Sequence, residues 1–176
     1  MAKGLPRSLA RGRKARQEIV KEVREFDVTF TVAASGSAAG LGTAVIGDLP
    51  EGNILLLGAV CYVQFSTADT DFTATWDGSF GVGTTADADG TIVNTTDADI
   101  VQQTTIAAAT SRVSPLTRGV GPEIVNGTPL VVDNTDGSLE LNLNLVVDAA
   151  DVTDGEDGEF NAVGKLHLAY IVLGDD

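Results

Sequence analysis

The spacing of apolar and polar positions along this chain changes once, near Phe26. Before it, "ARQEIVKEVRE" (15–25) places Ile19, Val20 and Val23 on one helical face among good helix formers, which predicts a short helix. So few residues are only marginally helical without something to pack against. From Phe26 the period falls to two. Phe26, Val28, Phe30 and Val32 point one way and Asp27, Thr29 and Thr31 the other, the pattern of a half-buried strand. "NILLLGAVCYVQFST" (53–67) is apolar on both faces, as a central strand or as two strands joined at Gly58. "FTATWDGSFGVGTT" (72–85) reads as a strand with a hairpin at Asp77-Gly78. Shorter strands are predicted in 104–113 and 128–133. "SLELNLNLVVD" (138–148) alternates most cleanly, with Leu139, Leu141, Leu143, Leu145 and Val147 inward and Glu140, Asn142 and Asn144 outward. "AVGKLHLAYIVLG" (162–174) is a long last strand.

Turn signals separate these runs: residues 48–52, Asp89-Gly90, Asn126-Gly127, Asp136-Gly137, Asp154-Gly155 and Asp157-Gly158. "ASGSAAGLGTA" (34–44) has glycines without dinucleotide spacing and reads as a flexible connection. Many strands, polar turns and almost no helix predict an all-β protein. The expected topology is a jelly-roll-like antiparallel β-sandwich, with an immunoglobulin-like sandwich as the alternative. The 176 residues leave room for one such domain, assigned to 26–176, preceded by an extended arm at 1–25 that carries the short helix.

Charge sharpens this division. Residues 1–24 hold Lys3, Arg7, Arg11, Arg13, Lys14, Arg16, Lys21 and Arg24; eight cations against Glu18 and Glu22 give +6. Residues 25–176 hold three cations against 23 acids, which gives −20 and accounts for the net −14. A basic arm on an acidic body is an interaction tail. Its cations suit either carboxylates on a protein surface or nucleic acid. The acidic body disfavours close approach to a polyanion, so the protein partner is preferred. No apolar run reaches the length of a membrane span, and the first residues lack the apolar stretch of a signal peptide.

The chain offers little for catalysis. Its one histidine, His167, alternates with Leu166 and Leu168 and so faces away from them. Its one cysteine, Cys61, sits in an apolar run and reads as a small buried hydrophobe. No triad, nucleophile elbow or His/Cys metal cluster assembles from these. Glycine-rich 78–90 lacks the Lys-Ser/Thr ending of a phosphate loop. EF-hand alignments centred on Gly90, Gly137 and Gly158 all lack the glutamate at position 12. Asp148, Asp151, Asp154, Glu156 and Asp157 remain as an irregular acidic cluster. Trp76, Tyr62 and Tyr170 are candidates for a sugar-stacking platform, with core packing the plainer role. No enzymatic activity, cofactor or metal is therefore expected.

The phrases "WDGSFGVGTTADADGTIVNTTDADIVQQTTIAAAT" (76–110), "LELNLNLVVDAADV" (139–152) and "KLHLAYIVLGDD" (165–176) resemble small virion proteins of tailed bacteriophages, commonly encoded near the capsid genes. The resemblance covers most of the body from about residue 53. It implies a head decoration (cement) protein on the capsid surface of the virion, made in the host cytoplasm. It implies a homotrimer bound to the major capsid protein. The binding arm would then comprise Lys3, Arg7, Arg11, Arg13, Lys14, Arg16, Ile19, Val20, Lys21, Val23 and Arg24, with Phe26 adding apolar anchoring. The alternatives are a basic-armed jelly-roll shell protein that touches the genome, and a carbohydrate-binding sandwich on a virion surface.

Overall fold

The computed structural model describes residues 18–34, 39–92, 96–122, 130–153 and 156–174. Among these run nine strands: β1 (Val20–Ala33), β2 (Gly40–Asp48), β3 (Gly52–Thr67), β4 (Gly78–Gly83), β5 (Val101–Ile106), β6 (Thr117–Gly121), β7 (Val131–Asn134), β8 (Glu140–Val147) and β9 (Gly158–Gly174). A single 3-10 turn, Ala149–Asp151, joins β8 to the loop before β9. No helix here is long and apolar enough to cross a membrane.

All strand pairing is antiparallel, in the order β5-β4-β8-β2-β1-β9-β3-β6, with β7 added to the start of β3. The β1–β2 link is only two residue pairs long, Val32–Gly42 and Ala33–Leu41. The path folds there into two four-stranded sheets, β5-β4-β8-β2 and β1-β9-β3-β6. In chain order, β1 and β2 lie beside β9 and β8, while β3 and β4 lie beside β6 and β5. This is a double ribbon rolled on itself, the jelly roll expected from the sequence.

The inward faces of both sheets fill one core. Leu141, Leu143, Leu145 and Val147 of β8 are wholly buried, as their alternation predicts, and Leu139 packs at the margin. Phe65 of β3 meets Phe80 of β4 with ring centres 5.8 Å apart. Phe160 of β9 takes Phe72 and Trp76 edge-on at 4.9 and 5.1 Å. T-shaped pairs of this kind suit the ring quadrupoles. At the far edge β5 and β6 draw together: a Cβ on Gly119 would lie 2.6 Å from Cγ1 of Val101 and 3.0 Å from Cζ of Phe80. The sandwich is thus almost closed into a barrel.

Several elements differ from expectation. The chain is already in β1 at Val20, so residues 20–25 are strand and the short helix is corrected. Thirteen residues of β1, Val20 to Val32, pair with β9, and that ladder outweighs the marginal propensity of a short helix. The strand expected over 72–85 begins only at Gly78. Asp77-Gly78 makes no hairpin; the Asp77 amide instead donates to Asp151 Oδ2 at 3.0 Å. The connection expected over 34–44 contains the start of β2. Its glycines admit neighbours: a Cβ on Gly42 would lie 2.7 Å from the Phe30 ring and 2.8 Å from Cγ2 of Val32. Strand β6 was not anticipated.

Asn142 and Asn144, expected outside, are buried because the β4–β5 connection folds over that sheet. Asn144 accepts from the Asp87 amide at 3.0 Å and donates to the carbonyls of Thr85 and Asp97 at 2.9 and 2.8 Å. Ile92 and Ala98 pack on Val146, with Ala39 and Leu41 beside them. This loop covers the middle of the outer face of β5-β4-β8-β2, while Val45 of β2 and Gln103 and Thr105 of β5 remain exposed at its flanks.

Candidate functional site

The outer face of the other sheet, β1-β9-β3-β6, is left uncovered among the described residues. The register fixes who shares it. Val23, His167, Val60 and Val120 form a row across the four strands, and Glu25, Lys165, Tyr62 and Arg118 form the next row but one along them. Leu55 and Ile171 continue the face towards β7, where Val131 is half exposed. Val23, Leu57, Tyr62, Val120 and Val163 all stand exposed, so the face is apolar over much of its width.

Two of its hollows are mainly apolar. The larger, about 550 Å³, has Gly58 and Ala169 at its base and Lys21, Val23, Val60 and His167 around it. It exists because the β3–β9 register slips between Leu56 and Gly58, a bulge, and because the two paired residues there are small. A Cβ on Gly58 would meet nothing within 4 Å. The smaller hollow, about 400 Å³, lies between Tyr62, Gln64, Leu116, Val163 and Lys165. Tyr62 and His167 meet edge-on at 6.1 Å between them.

Of five cations among the described residues, Lys21, Arg118 and Lys165 are on this face. Lys165 donates to Glu25 at 2.6 Å, and this bond and charge hold the Glu25 carboxyl below its usual value. Asp27 accepts from Asn161 at 2.8 Å. The acids Glu25, Asp27 and Glu159 are on the same face, Glu25 in the row of Arg118, so its three cations stand against three acids among the described residues.

The arm residues are distributed as follows. Lys3, Arg7, Arg11, Arg13, Lys14 and Arg16 lie outside the described residues. Ile19 is exposed just before β1, and Lys21 and Val23 point to the outer face. Val20 and Arg24 belong to the opposite alternation, so Ile19, Val20 and Val23 do not share one surface. Arg24 turns into the seam between the sheets, bonds Glu22 at 2.6 Å and packs against Gly47. Glu22 also accepts from the Tyr170 hydroxyl at 3.2 Å, and burial together with the Glu22 charge pushes the Tyr170 pKa up. Phe26 is in the core and cannot anchor a partner.

The remaining candidates separate. Cys61 is fully buried and burial pushes its thiol up to about 12. His167 lies on the opposite face of the same sheet, as its alternation predicts. Trp76 is wholly buried and Tyr170 nearly so, so the three aromatics form no sugar platform. Among the described residues no group of three His, Cys, Asp or Glu side chains could hold a metal ion. Within the acidic cluster Asp154 lies outside the described residues. Asp151 ties Thr73 and the Asp77 amide, and Asp157 accepts from the Ala34 amide at 3.1 Å. These carboxylates brace loops.

Sequence reasoning missed the uncovered face, although β3 carried its signal. The apolar positions on both sides of 53–67 mark a second buried or binding surface. The alternation does not say which.

No protein-family model matches the chain, and no curated protein matches it. Among solved structures, the chain aligns with one from "Structure of infectious bursal disease virus Gx strain" at 12% identity and a TM-score of 0.35. The alignment covers 88% of this chain and 32% of that one, so this chain spans about a third of that chain's length.

Proposed function

We propose that this protein is a non-enzymatic structural component of a virus particle, a decoration protein that seats on a phage head and is held there through its basic arm. The observation that carries this reading is the asymmetry of the molecule. A jelly roll has one outer face partly covered by its own loop and the other left open and apolar over much of its width, and the basic N-terminal sequence leads into β1 at the border of that open face. The phrase-level resemblance to tailed-phage virion proteins points the same way. Individual exposed ion pairs are weak, so an arm holds by many contacts at once, multiplied when several copies act together. A trimer seated between capsid subunits would provide that multiplication.

The test is co-sedimentation of the purified chain with empty heads assembled from the phage's major capsid protein. The full chain should saturate them, and a chain lacking residues 1–17 should lose most of its binding. A full chain that leaves the heads bare would overturn the reading. Binding to packaged heads but not to empty ones would transfer the arm to the genome.

A further inference from the structure

Strand β1 is paired on one side only for most of its length. Towards β9 it is paired from Val20 to Val32, but towards β2 only at Val32 and Ala33. Beyond that link β2 runs with β8 in the other sheet. From Val20 to Thr31 the backbone groups on the β2 side have no ladder partner among the described residues. Neither a proline nor a bulge interrupts this edge. A long regular edge is a template for another strand unless its side chains forbid the pairing. Here the side chains are self-complementary. In "VKEVREF" (20–26) each charge is mirrored about Val23 by its opposite, Lys21 by Glu25 and Glu22 by Arg24. We infer that this edge of β1 is a contact between two copies of the chain, paired antiparallel about a two-fold axis at Val23.

The charges select the register. With Val23 opposite Val23, Lys21 meets Glu25 and Glu22 meets Arg24, each twice by symmetry, and Val20 meets Phe26. Like charges directly opposed destabilise a ladder. Moving the axis by one residue sets Glu22 against Glu22 or Arg24 against Arg24, and moving it by two sets Lys21 against Lys21 or Glu25 against Glu25. An axis half a residue away meets Lys21 with Arg24 or Glu22 with Glu25. A foreign strand without this order leaves the charges of the edge unanswered, so the same side chains turn other strands away and admit a second copy. Lys21, in no ion pair among the described residues, gains Glu25, which Lys165 already flanks from β9. The register also keeps Lys21, Val23 and Glu25 of both copies on one side, so β6-β3-β9-β1 of each copy joins into one eight-stranded sheet. Pairing at β1 is independent of the function proposed above. It joins the same edge of both copies and closes at two, whereas a trimer on the head needs a different contact.

Sedimentation equilibrium of the full chain over a concentration series should show a monomer–dimer equilibrium. Lys21→Glu and Glu25→Lys each exchange two attractions for two repulsions, and each should weaken association by at least about tenfold. An equimolar mixture of the two variants restores both opposite pairs across the axis and should dimerise as the wild type does, a rescue that loss of folding cannot give. Cysteines then read the axis. Residues opposed across an antiparallel ladder have Cα atoms about 4.5–5.5 Å apart, within disulfide reach. Val23 is exposed, and under mild oxidation Val23→Cys should give a covalent dimer. Lys21→Cys should not, because its two copies lie four residues apart along the ladder; buried Cys61 stays out of the reaction. A wild type that remains monomeric throughout the series, or an oligomer that both charge variants leave intact, would overturn the contact. So would a mixture that associates no more tightly than either variant alone, or cross-linking of Lys21→Cys as fast as Val23→Cys.

Discussion

At the scale of single residues, two buried asparagines organise the loops. Asn144 takes three backbone groups of the β4–β5 connection, and Asn134 does the same for the turn after β2: it donates to the carbonyls of Leu49 and Pro50 and accepts from the Leu139 amide. Replacing Asn144 by Leu would strand three buried backbone groups, at roughly 1–3 kcal/mol for each left without a partner. Urea unfolding should show a large loss for Asn144→Leu and a small one for Asn142→Ser, whose one bond is long at 3.4 Å. Equal losses would mean the loop is held by its apolar residues instead. Asp77 works in the opposite sense. Partial burial and the charges of Asp148 and Asp151 raise its pKa above 3.8. The folded state therefore binds its proton more tightly than the unfolded chain does. Stability rises as pH falls through the raised value and levels off below 3.8. Asp77→Asn should raise the melting temperature at neutral pH, by an amount that shrinks with salt and closes on acidification. A variant less stable at pH 7 would show that the hydrogen bonds of Asp77 outweigh the repulsion. Cys61, with its thiol up at about 12, should react with an alkylating reagent only as fast as the protein opens; rapid labelling of the folded protein would contradict its burial.

At the scale of elements, what the sequence disclosed depended on what stands at the inward positions. Strands β3, β8 and β9 were legible because their inward alternation is almost entirely apolar. The first residues of β1 were not, because the inward positions there hold Glu22 and Arg24, which neutralise one another, with Glu22 also accepting from Tyr170. Strand β2 was hidden by the opposite device: Gly40 and Gly42 stand where large side chains are expected, because Phe30, Val32 and Phe72 fill the space from across the core. Gly42→Val should accordingly overpack the core by about 1–3 kcal/mol. Gly58→Glu, also a glycine in a strand, should cost almost nothing. Denaturant midpoints of the pair decide it, and a tolerated Gly42→Val would mean that Phe30 has room to move. The double role of Asn144 was unreadable for a third reason. An asparagine between leucines looks solvated until a distant loop is known to cover it.

At the scale of the whole molecule, the boundary between arm and body lies earlier than the change of period at Phe26. The ladder with β9 starts at Val20 and Tyr170. Deleting residues 1–17 should leave the unfolding midpoint unchanged. Deleting 1–24 removes five ladder residues together with the Glu22–Arg24–Tyr170 group, and should cost about 1–3 kcal/mol or more. If the longer deletion is equally stable, β1 contributes little before Phe26. The candidate surface becomes visible only at this scale, because it depends on which sheet face a loop happens to cover, and no local pattern records that.

The rolled ribbon also sets an order of events during synthesis. Strand β1 emerges from the ribosome long before β9, yet most of its partners are on β9, and β2 likewise waits for β8. Pairings so far apart in sequence put the protein among slow folders, on the order of milliseconds to seconds. Until the last strand is made, the sheet that carries the open face cannot form. The nascent chain therefore carries its basic N-terminal residues before it has the open sheet face, and that face is completed only when translation has passed β9.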